Sequence, residues 1–518
     1  MRYDEGGGPS GREFCVSTGL GLFAADCPFP LVNRPRRAFA SPVRRVSEAG
    51  VTSTVELRPG LTSIAGWQGI YRGAPVALDP VARADVEAGR TALSTILSRN
   101  GVVAPIEMAD APPLAELIEM RGEPLPVGVL RLLVALKLGS LGQGVSGARW
   151  KVVKALADLL AGDILPVIDA NGADDRAALA QLYAVLTGTG EALRKGKVRP
   201  ALKALKKAEL KPLSLNPRER RAMLSGTELS VAVALAGLFE AERVLQSAIV
   251  AAALSASLTA SGAPLHPSAH RLSRQRGRIE VAAALHELTA DVPLHPADAG
   301  TARDRVPRAN ISAIGACLDL LRQAAATLER AANGVSEDEL VLWQSQEIVE
   351  GRADLSSIAV AADQIALALR IIGDMSEART ASLARQSASG PEETSAIIEA
   401  KAGAFAAENR ERSRSTAPDA AGIWRLLPMA GTTALMIAVE FIEASRATQA
   451  SQSVLSPGLE AVRHAIRNAA PVSEPGVLAT TNLASIAVLV GSGTLSAAPG
   501  TALPSLTPPT PEKRARPR

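Results

Sequence analysis

Apolar residues recur at intervals of three and four along most of this 518-residue chain. This spacing places them on one face of an α-helix, so the pattern predicts a helix wherever it is sustained. The segment Pro126–Gly144 shows the pattern well, and we expect its Arg131 and Lys137 to face water. Its apolar side is formed by Val129, Leu132, Leu133, Leu136 and Leu141.

Eight further segments have helical spacing. They are Lys151–Leu160, Arg176–Leu186, Arg218–Leu254, Ala313–Ala332, Ser356–Ile372, Ser395–Arg410, Thr433–Thr448 and Gly458–Arg467. Alternating strand patterns are sparse, and we expect short β-strands only at Thr54–Leu57 and Val76–Leu78. Several of the helices are long, so the sequence predicts an elongated all-α bundle with minor β elements.

Composition supports helices and argues against a nucleic-acid partner. Aromatic residues make up only 3% of the chain and hydrophobic residues 47%, so the core must consist of many small side chains. Alanine and leucine, which dominate, have the best helix propensities. The 56 basic and 52 acidic residues leave a net charge of +4, which is too balanced to indicate nucleic-acid binding.

The two ends of the chain differ from its centre. Residues 1–50 are rich in Gly, Pro and Arg without an apolar period, and we expect a disordered N-terminal extension. Residues 491–518 are rich in Pro, Ser and Thr, which predicts a disordered tail. Between them we assign an N-terminal domain to residues 51–200 and a long-helix central bundle with C-terminal helices to residues 201–490.

Metal, membrane and secretion signals are weak. Cys15, Cys27 and Cys317 have neither metal-ligand nor disulfide spacing, and the five histidines are scattered, so we expect no metal. The uncharged run Val244–Leu265 is rich in Ala, Ser and Thr, which favours a buried helix in an oligomer core over a membrane span. No secretory signal follows the N-terminal basic residues, so we expect a cytoplasmic protein without a membrane partner.

Four blocks of sequence resemble the histidine and phenylalanine ammonia-lyase family. They are LRPGLTSIAGWQGIYRGAPVALDPVARADVEAGRTAL, RLLVALKLGSLGQGVSGAR, LSGTELSVAVALAGLFEAE and GRADLSSIAVAADQIALAL. The resemblance runs from about residue 56 to about residue 486. It implies the helical fold of the ammonia-lyases, which is of the fumarase/aspartase-like type. It also implies a homotetramer, with active sites where several subunits meet.

The family's cofactor loop is degenerate in this chain. The resemblance implies a methylidene-imidazolone made from consecutive Ala, Ser and Gly residues, a reaction that needs the serine hydroxyl and an unhindered glycine nitrogen. Here the corresponding residues are Gly172, Ala173 and Asp174. Ala173 has no hydroxyl to eliminate and Asp174 adds a bulky charged side chain. We therefore expect a chain without methylidene-imidazolone and without any other cofactor.

Other positions implied by the resemblance are also altered. The family's catalytic tyrosine falls on Leu93, and its Asn-Gly-Thr-Gln motif reads Ser225-Gly226-Thr227-Glu228. The arginine that binds the substrate carboxylate falls on Arg308, and a family pocket glutamate falls on Glu411. The scaffold blocks persist, while most of the known machinery is replaced.

The candidate site residues also have ordinary structural interpretations. Arg308 could clamp a carboxylate or form an internal ion pair with Asp304. Asp174 and Asp175 could stabilise the start of a helix, with Asp175 as N-cap, or one of them could be a buried acid–base group.

The same ambiguity holds for the altered motifs. Ser225 and Thr227 could line the substrate cavity or form a capping turn. Glu228 could be a base or a capping partner, and Glu411 could lie in the pocket or in a solvated ion-pair cluster.

Two functions fit these observations. The chain could be a lyase or cyclase that acts on an amino-acid-derived carboxylate without methylidene-imidazolone. Its catalytic residues would be among Asp174, Asp175, Glu228 and Glu411, and Arg308, Ser225 and Thr227 would bind the substrate. Alternatively, it could be an inactive homologue that binds a metabolite or assembles with a lyase paralogue. The sequence leaves open whether the chain is an enzyme.

Overall fold

The computed structural model describes residues 53–99, 124–170, 174–259, 267–290, 292, 305–386, 392–414, 420–470 and 480–507. All of these residues belong to one compact unit, so the predicted domains 51–200 and 201–490 lie in the same body. The predicted N-terminal extension lies outside the described residues.

The N-terminal layer begins with two short strands that alternate with helices. Its first elements are β1 (Val55–Leu57), α1 (Ile64–Tyr71), β2 (Val76–Leu78), α2 (Ala82–Arg99), α3 (Val127–Gly142) and α4 (Trp150–Ala161). Strands β1 and β2 are parallel and pair Val55 with Val76. Both strands coincide with the predicted β segments.

A small antiparallel sheet completes this layer. Its elements are β3 (Ile164–Pro166), α5 (Asp175–Thr187), β4 (Glu191–Arg194), β5 (Lys197–Pro200), α6 (Ala201–Lys207) and α7 (Pro217–Leu224). The strand order is β3-β4-β5. Lys195 and Gly196 form the turn between β4 and β5, and both have positive φ angles, of 50° and 74°, as a two-residue hairpin turn requires.

Long helices form the central bundle. The elements are α8 (Glu228–Thr259), α9 (Pro267–Arg271), α10 (Arg276–Leu288), α11 (Arg305–Asn333), β6 (Glu339–Leu342), β7 (Glu347–Glu350), α12 (Ser356–Gln386), α13 (Glu392–Ser413), α14 (Ala420–Trp424), α15 (Leu426–Ala450), α16 (Pro457–Ala469), α17 (Thr480–Gly491) and α18 (Thr494–Ala497). Helices α8, α11, α12 and α15 pack against one another around the core. The predicted all-α bundle with minor β elements is confirmed.

Four helical segments of the described part are long and apolar enough to cross a membrane by length and composition. They are Pro217–Leu258, Asn310–Asn333, Ser356–Ala384 and Gly422–Ala450. In the first of them, 89% of the most apolar window is buried inside the protein. The described part of the run Val244–Leu265 is therefore covered by its own chain. Its apolar character does not require the oligomer core that the sequence suggested.

The predicted helix Arg218–Leu254 is interrupted. Helix α7 ends at Leu224 and α8 begins at Glu228, and the break between them is the Ser-Gly-Thr segment. Gly226 has a φ of +124°, a conformation that L-residues with a side chain rarely adopt. At this break the backbone turns so that the carbonyl oxygen of Ser225 faces α3.

Helix α3 contradicts the prediction that Arg131 and Lys137 face water. All its residues from Val129 to Gly142 are buried, because α1, α4 and α8 pack around it. Arg131 is 7% exposed and donates to the carbonyl oxygens of Ile70 and Ala74, at 3.1 and 2.7 Å. Periodicity cannot assign a solvent face to a helix that is apolar nearly all round.

The C-terminal segment corrects a second prediction. Residues 491–507, expected in a disordered tail, pack on the bundle, with Leu506 5% exposed. The Leu506 amide donates to Glu242 Oε1 at 2.8 Å, and Arg322 donates to the carbonyl oxygen of Ser505 at 2.8 and 3.0 Å. Because these backbone groups form hydrogen bonds with side chains of the bundle, a polar segment can stay packed against it. The rest of the predicted tail lies outside the described residues.

Candidate functional site

Lys137 is the centre of a buried charged cluster. It lies in the middle of α3 and its side chain is completely buried. Its Nζ donates to the carbonyl oxygen of Ser225 at 2.6 Å and to Glu228 Oε1 at 3.1 Å. A second carboxylate oxygen, Glu337 Oε1, lies 4.0 Å away. Burial of a lysine is tolerated only with such partners, so this cluster is a specific structural feature.

Glu228 occupies the first position of α8 and is 5% exposed. Among the described residues, no hydrogen bond reaches its Oε2. A Cβ at Gly226 would lie only 2.2 Å from that oxygen, so the carboxylate fills the space that a side chain at 226 would need. Glycine at this position therefore lets Glu228 turn toward Lys137.

Glu337 enters from the turn between α11 and β6 and is 2% exposed. Ser140 Oγ donates to its Oε1 at 3.3 Å, and its Oε2 has no hydrogen-bond partner in the described part of the chain. Burial, opposed by the positive charge of Lys137 and reinforced by the negative charge of Glu228, raises the pKa of Glu337 to about 7. This carboxyl can therefore gain or lose a proton near neutral pH.

Hydrogen bonds connect the Ser-Gly-Thr break to the turn that carries Glu337. Ser225 Oγ accepts from the Asp338 amide at 2.7 Å. The amide and hydroxyl of Thr227 donate to Ser336 Oγ at 3.0 and 3.2 Å. Ser225 and Thr227 therefore hold two backbone segments together beside the cluster, and their predicted role in substrate binding stays a prediction.

Asp175 is a third carboxylate near the cluster. It begins α5, and it accepts from the amide and hydroxyl of Ser230 at 2.9 and 2.5 Å. Burial raises its pKa to about 6, with the Ser230 hydrogen bonds opposing the shift and the charge of Glu228 adding to it. Asp175 thus joins α5 to α8 and is a second group that titrates near neutral pH.

Asp174, and not Asp175, is the N-cap of α5. Its Oδ1 accepts from the Ala177 amide at 2.6 Å, and its side chain is exposed. The sequence placed the cap one residue later, because adjacent aspartates are equivalent as capping types. Gly172 and Ala173, the two other degenerate loop positions, lie outside the described residues.

A small cleft opens next to Glu337. Its accessible volume is about 10 Å³, roughly that of one water molecule. It is lined by Ser146, Arg218, Arg221, Ala222, Ser225, Glu337, Asp338 and Glu339. Arg218 and Arg221 both contact Glu339, at 2.8 and 3.0 Å. The lining of the cleft therefore includes two arginines that share Glu339 as their ion-pair partner, and it also includes the buried carboxyl group of Glu337.

The position of the family tyrosine is part of an apolar cluster. Leu93 packs with Ala92, Ile96 and Val341. A Cβ at Gly147 would come within 2.7 Å of Leu93 Cδ2, so this leucine lies against bare backbone. No proton-transfer chemistry is available from such a side chain.

One further predicted residue, Glu411, is not in the cluster. Glu411 is 75% exposed in the chain alone and pairs with Arg414 at 2.9 Å, which is the solvated ion pair that the sequence allowed. Arg308 belongs to α11, but its side chain lies outside the described residues. The functional roles of both residues stay predictions.

Sequence reasoning missed Lys137 as a member of the site and did not consider Glu337. The Lys137 signal was present, because a single lysine interrupts the apolar run LLVALKLGSL. Such a lysine is either at a helix surface or buried with partners, and one sequence does not separate the two. Glu337 is one of three acidic residues in a polar turn, SEDE, which looks like an exposed loop.

The fold and the site define a class of protein: a large helical bundle with a buried charged cluster where its N-terminal layer meets the long helices. The aromatic amino acid lyase family matches residues 120–404, more than half of the chain. The chain therefore belongs to the aromatic amino acid lyase family. The resemblance drawn from the sequence blocks is confirmed.

Solved structures of several lyases and aminomutases share this fold. Histidine ammonia-lyase from Trypanosoma cruzi matches with a TM-score of 0.76 and 20% identity, covering 87% of this chain and 96% of that one. Tyrosine aminomutase from Streptomyces globisporus matches with a TM-score of 0.75 and 21% identity, covering 86% and 98%. The ergothioneine-degrading enzyme ergothionase from Treponema denticola matches with a TM-score of 0.76 and 16% identity, covering 86% and 99%. Similarity at these identities establishes the ammonia-lyase fold.

Proposed function

We propose that this chain catalyses an elimination, addition or cyclisation on an amino-acid-derived carboxylate, without methylidene-imidazolone. The observation that carries the proposal is the cluster in which Lys137 holds Glu228 and a proton-exchanging Glu337 beside a cleft. Groups that titrate near the working pH are the most effective general acids and bases. Membership of a lyase family makes elimination, with removal of a proton from the carbon β to the carboxyl group, the reaction class to expect.

The residues at the cofactor positions do not fit a methylidene-imidazolone. Ala173 has no oxygen whose loss could leave a methylene group. Asp174 has its side chain engaged at the start of α5, at the position where the family needs an unhindered glycine. The proposed reaction therefore uses the acids and bases of the chain itself.

The acid–base work falls to the carboxylates around Lys137. In its ionised form Glu337 accepts a proton from the substrate, and in its neutral form it returns one to the leaving group. Lys137 limits the charge that builds up when both Glu337 and Glu228 are ionised. Asp175, with a pKa of about 6, supplies a second exchangeable proton on the α5 side. Arg308 remains the proposed anchor for the substrate carboxylate.

A homotetramer is part of the same proposal. Val360 and Leu367, which are 60% and 40% exposed, lie seven residues apart and hence on one face of α12. An apolar face of this kind suits a subunit contact. In such an assembly the exposed Glu411 of one subunit could complete a neighbour's site. Light scattering should then give the mass of four chains, and a stable monomer would contradict the assembly.

We propose a cytoplasmic protein with neither nucleic-acid nor membrane partners.

A second candidate is an inactive homologue that binds a metabolite or assembles with a lyase paralogue. The apolar packing around Leu93 and the small volume of the cleft favour it. Both features are consistent with a cavity that no longer receives a substrate. The second candidate predicts that the protein binds a metabolite but exchanges no protons with it, whereas the first predicts that both occur.

Proton exchange separates the two candidates. The protein is incubated in deuterated water with a panel of amino-acid-derived carboxylates, and deuterium uptake and product formation are followed by mass spectrometry. We expect at least one carboxylate to exchange or react, and the rate to fall at least about 100-fold in Glu337→Gln. Arg308→Gln should abolish binding of that compound. Binding without exchange, equal in the wild type and Glu337→Gln, would support the inactive homologue instead.

A further inference from the structure

One surface of the N-terminal layer carries a strong excess of positive charge. Residues 191–212, which span β4, β5 and α6 and are called the basic surface below, contain eight basic and two acidic residues, a net charge of +6. The whole chain has a net charge of +4, so the other 496 residues together have a net charge of −2. Six lysines of the basic surface are exposed, namely Lys195, Lys197, Lys203, Lys206, Lys207 and Lys211.

The cations of the basic surface repel one another. Within the described part of the chain, the lysines that form ion pairs are Lys137 and Lys154, and neither belongs to this surface. Lys197 lies directly opposite Arg194 in the β4–β5 hairpin, and α6 carries lysines three and four residues apart. Like charges in both arrangements are unfavourable. An anionic partner would relieve this repulsion.

The basic surface also presents a strand edge and apolar side chains. Strand β5 is at the edge of the sheet β3-β4-β5. Val198 of β5 is 46% exposed and Leu202 of α6 is 42% exposed. A strand edge of this kind can pair with another chain, and lysines along it discourage a partner that is neutral or basic. The surface therefore fits an acidic partner with some apolar side chains.

The chain itself has a surface of opposite charge. Residues 336–354, around β6 and β7, contain six acidic residues and one basic residue. Glu347 and Glu350 of β7 are exposed, whereas Arg218 and Arg221 pair with Glu339 of β6. Glu350 lies directly opposite Glu339, so like charges face each other here as well. Among the described strands β7 pairs with β6 alone, so the acidic hairpin β6–β7 also presents a strand edge.

We propose that the basic surface of one copy of this chain docks against the acidic hairpin of a second copy, with edge strand β5 beside edge strand β7. Lysines then meet glutamates, and Val198 lies near the half-buried apolar residues of β7, Ile348 and Val349. Each surface alone holds like charges together, and the contact places unlike charges beside them. This complementarity is the reason to expect a second copy as the partner. The contact goes beyond the proposed function, because it requires neither turnover nor the apolar face of α12.

The test is sedimentation velocity of the full chain over a range of protein concentrations, in about 50 mM and about 500 mM NaCl. Salt screens attraction between exposed charges, so the dissociation constant between copies should rise at least about 10-fold in the higher salt. An assembly held by the apolar face of α12 alone would not weaken in this way. The two contacts can therefore fail separately.

Charge reversals test the two surfaces one at a time. Lys197→Glu/Lys203→Glu reverses two charges of the basic surface, and Glu347→Lys/Glu350→Lys reverses two charges of the acidic hairpin. Each variant should raise the dissociation constant at least about 10-fold in the lower salt. Lys197→Glu also places a carboxylate opposite Arg194, which is a favourable pair, so this variant should keep its Tm.

Mixing the two variants decides the identity of the partner. In an equimolar mixture, the reversed basic surface of one variant meets the reversed hairpin of the other, so association should return to the wild-type strength. Lys151→Glu/Lys154→Glu makes the same change of charge at two exposed positions of α4 and should associate like the wild type. Unchanged association in either surface variant would overturn the proposal. Association that is lost in both variants and not restored in the mixture would also overturn it, and would assign the basic surface to a foreign anionic partner.

Discussion

Lys137 is a charged residue in an apolar helix, and its three oxygen neighbours explain how it is accommodated. The carbonyl oxygen of Ser225 and the carboxylates of Glu228 and Glu337 surround its Nζ. All three belong to segments at least 88 residues away in sequence. The periodic pattern around Lys137 predicted a helix correctly but gave no information on these partners. For that reason the sequence placed this side chain in water.

Removing the lysine should destabilise the protein strongly. Lys137→Met keeps the length of the side chain but leaves two buried carboxylates without their cation, at a cost of about 3–5 kcal/mol. Denaturant unfolding at pH 8 measures the loss. Lys154→Met is the matched control, because Lys154 is 60% exposed and its ion pair within the described part of the chain is with Asp158, one turn away. Equal, small effects of the two substitutions would show that the cluster contributes no stability.

The raised pKa of Glu337 predicts a pH dependence of stability. Its pKa rises from 4.5 in the unfolded chain to about 7 in the folded one, so the folded state holds a proton that the unfolded state releases in this range. The free energy of unfolding should therefore fall as pH rises from about 4.5 to 7, and Asp175 contributes with the same sign. The slope from one group is at most about 1.4 kcal/mol per pH unit.

Glu337→Gln should remove the Glu337 part of that slope, and Glu350→Gln should leave it unchanged. Denaturant titrations at several pH values measure it. If stability rises between pH 5 and 7 in the wild type relative to Glu337→Gln, the carboxyl is ionised more easily in the folded chain, and its proposed acid–base role fails.

At the scale of elements, the sequence predicted the two parallel strands and most long helices, because their apolar residues are regularly spaced. It missed the hairpins β4–β5 and β6–β7. Their strands have four residues each and carry Glu, Arg and Lys at exposed or half-buried positions, so their alternation is too short to recognise. It also predicted one continuous helix through Gly226, where a positive φ angle separates α7 from α8, although a capping turn at Ser225 and Thr227 was one of the two interpretations that the sequence allowed.

Close helix packing gives a prediction at this scale. Gly277 of α10 and Gly315 of α11 face each other, and a Cβ at Gly315 would lie 2.4 Å from the Arg278 amide nitrogen. Gly315→Ala should therefore force the helices apart and lower the unfolding free energy by about 1–3 kcal/mol. Gly431→Ala in α15 meets no atom within 4 Å and should stabilise by up to about 1 kcal/mol through helix propensity. Chemical denaturation compares them, and stabilisation by both would contradict the close crossing.

For the whole molecule, the C-terminal segment shows what composition cannot reveal. Residues that read as a Pro- and Ser-rich tail are held by side chains of α8 and α11, among them Glu242, Gln246 and Arg322. Local sequence describes the segment's own preferences, whereas these anchors lie more than 180 residues earlier. The contacts of Lys137 with Ser225, Glu228 and Glu337 were not predicted for the same reason, because these partners are also far away in sequence.

Truncation tests the importance of this segment. Ending the chain after Ala498 exposes the surface that Leu506 covers and leaves Glu242 Oε1 without its amide donor, so we expect a loss of about 3 kcal/mol. Ending it after Thr507 keeps every described contact and serves as the control. Thermal unfolding compares the two chains, and equal Tm values would show that the segment adds nothing to the fold.

The central claim is that this member of the aromatic amino acid lyase family works, or binds, without an internally formed electrophile. Intact-mass measurement of the purified chain, with peptide mapping across residues 172–174, tests it most directly. We predict the mass of the unmodified sequence and an unmodified Gly172-Ala173-Asp174 peptide. Loss of water from that peptide would contradict the account.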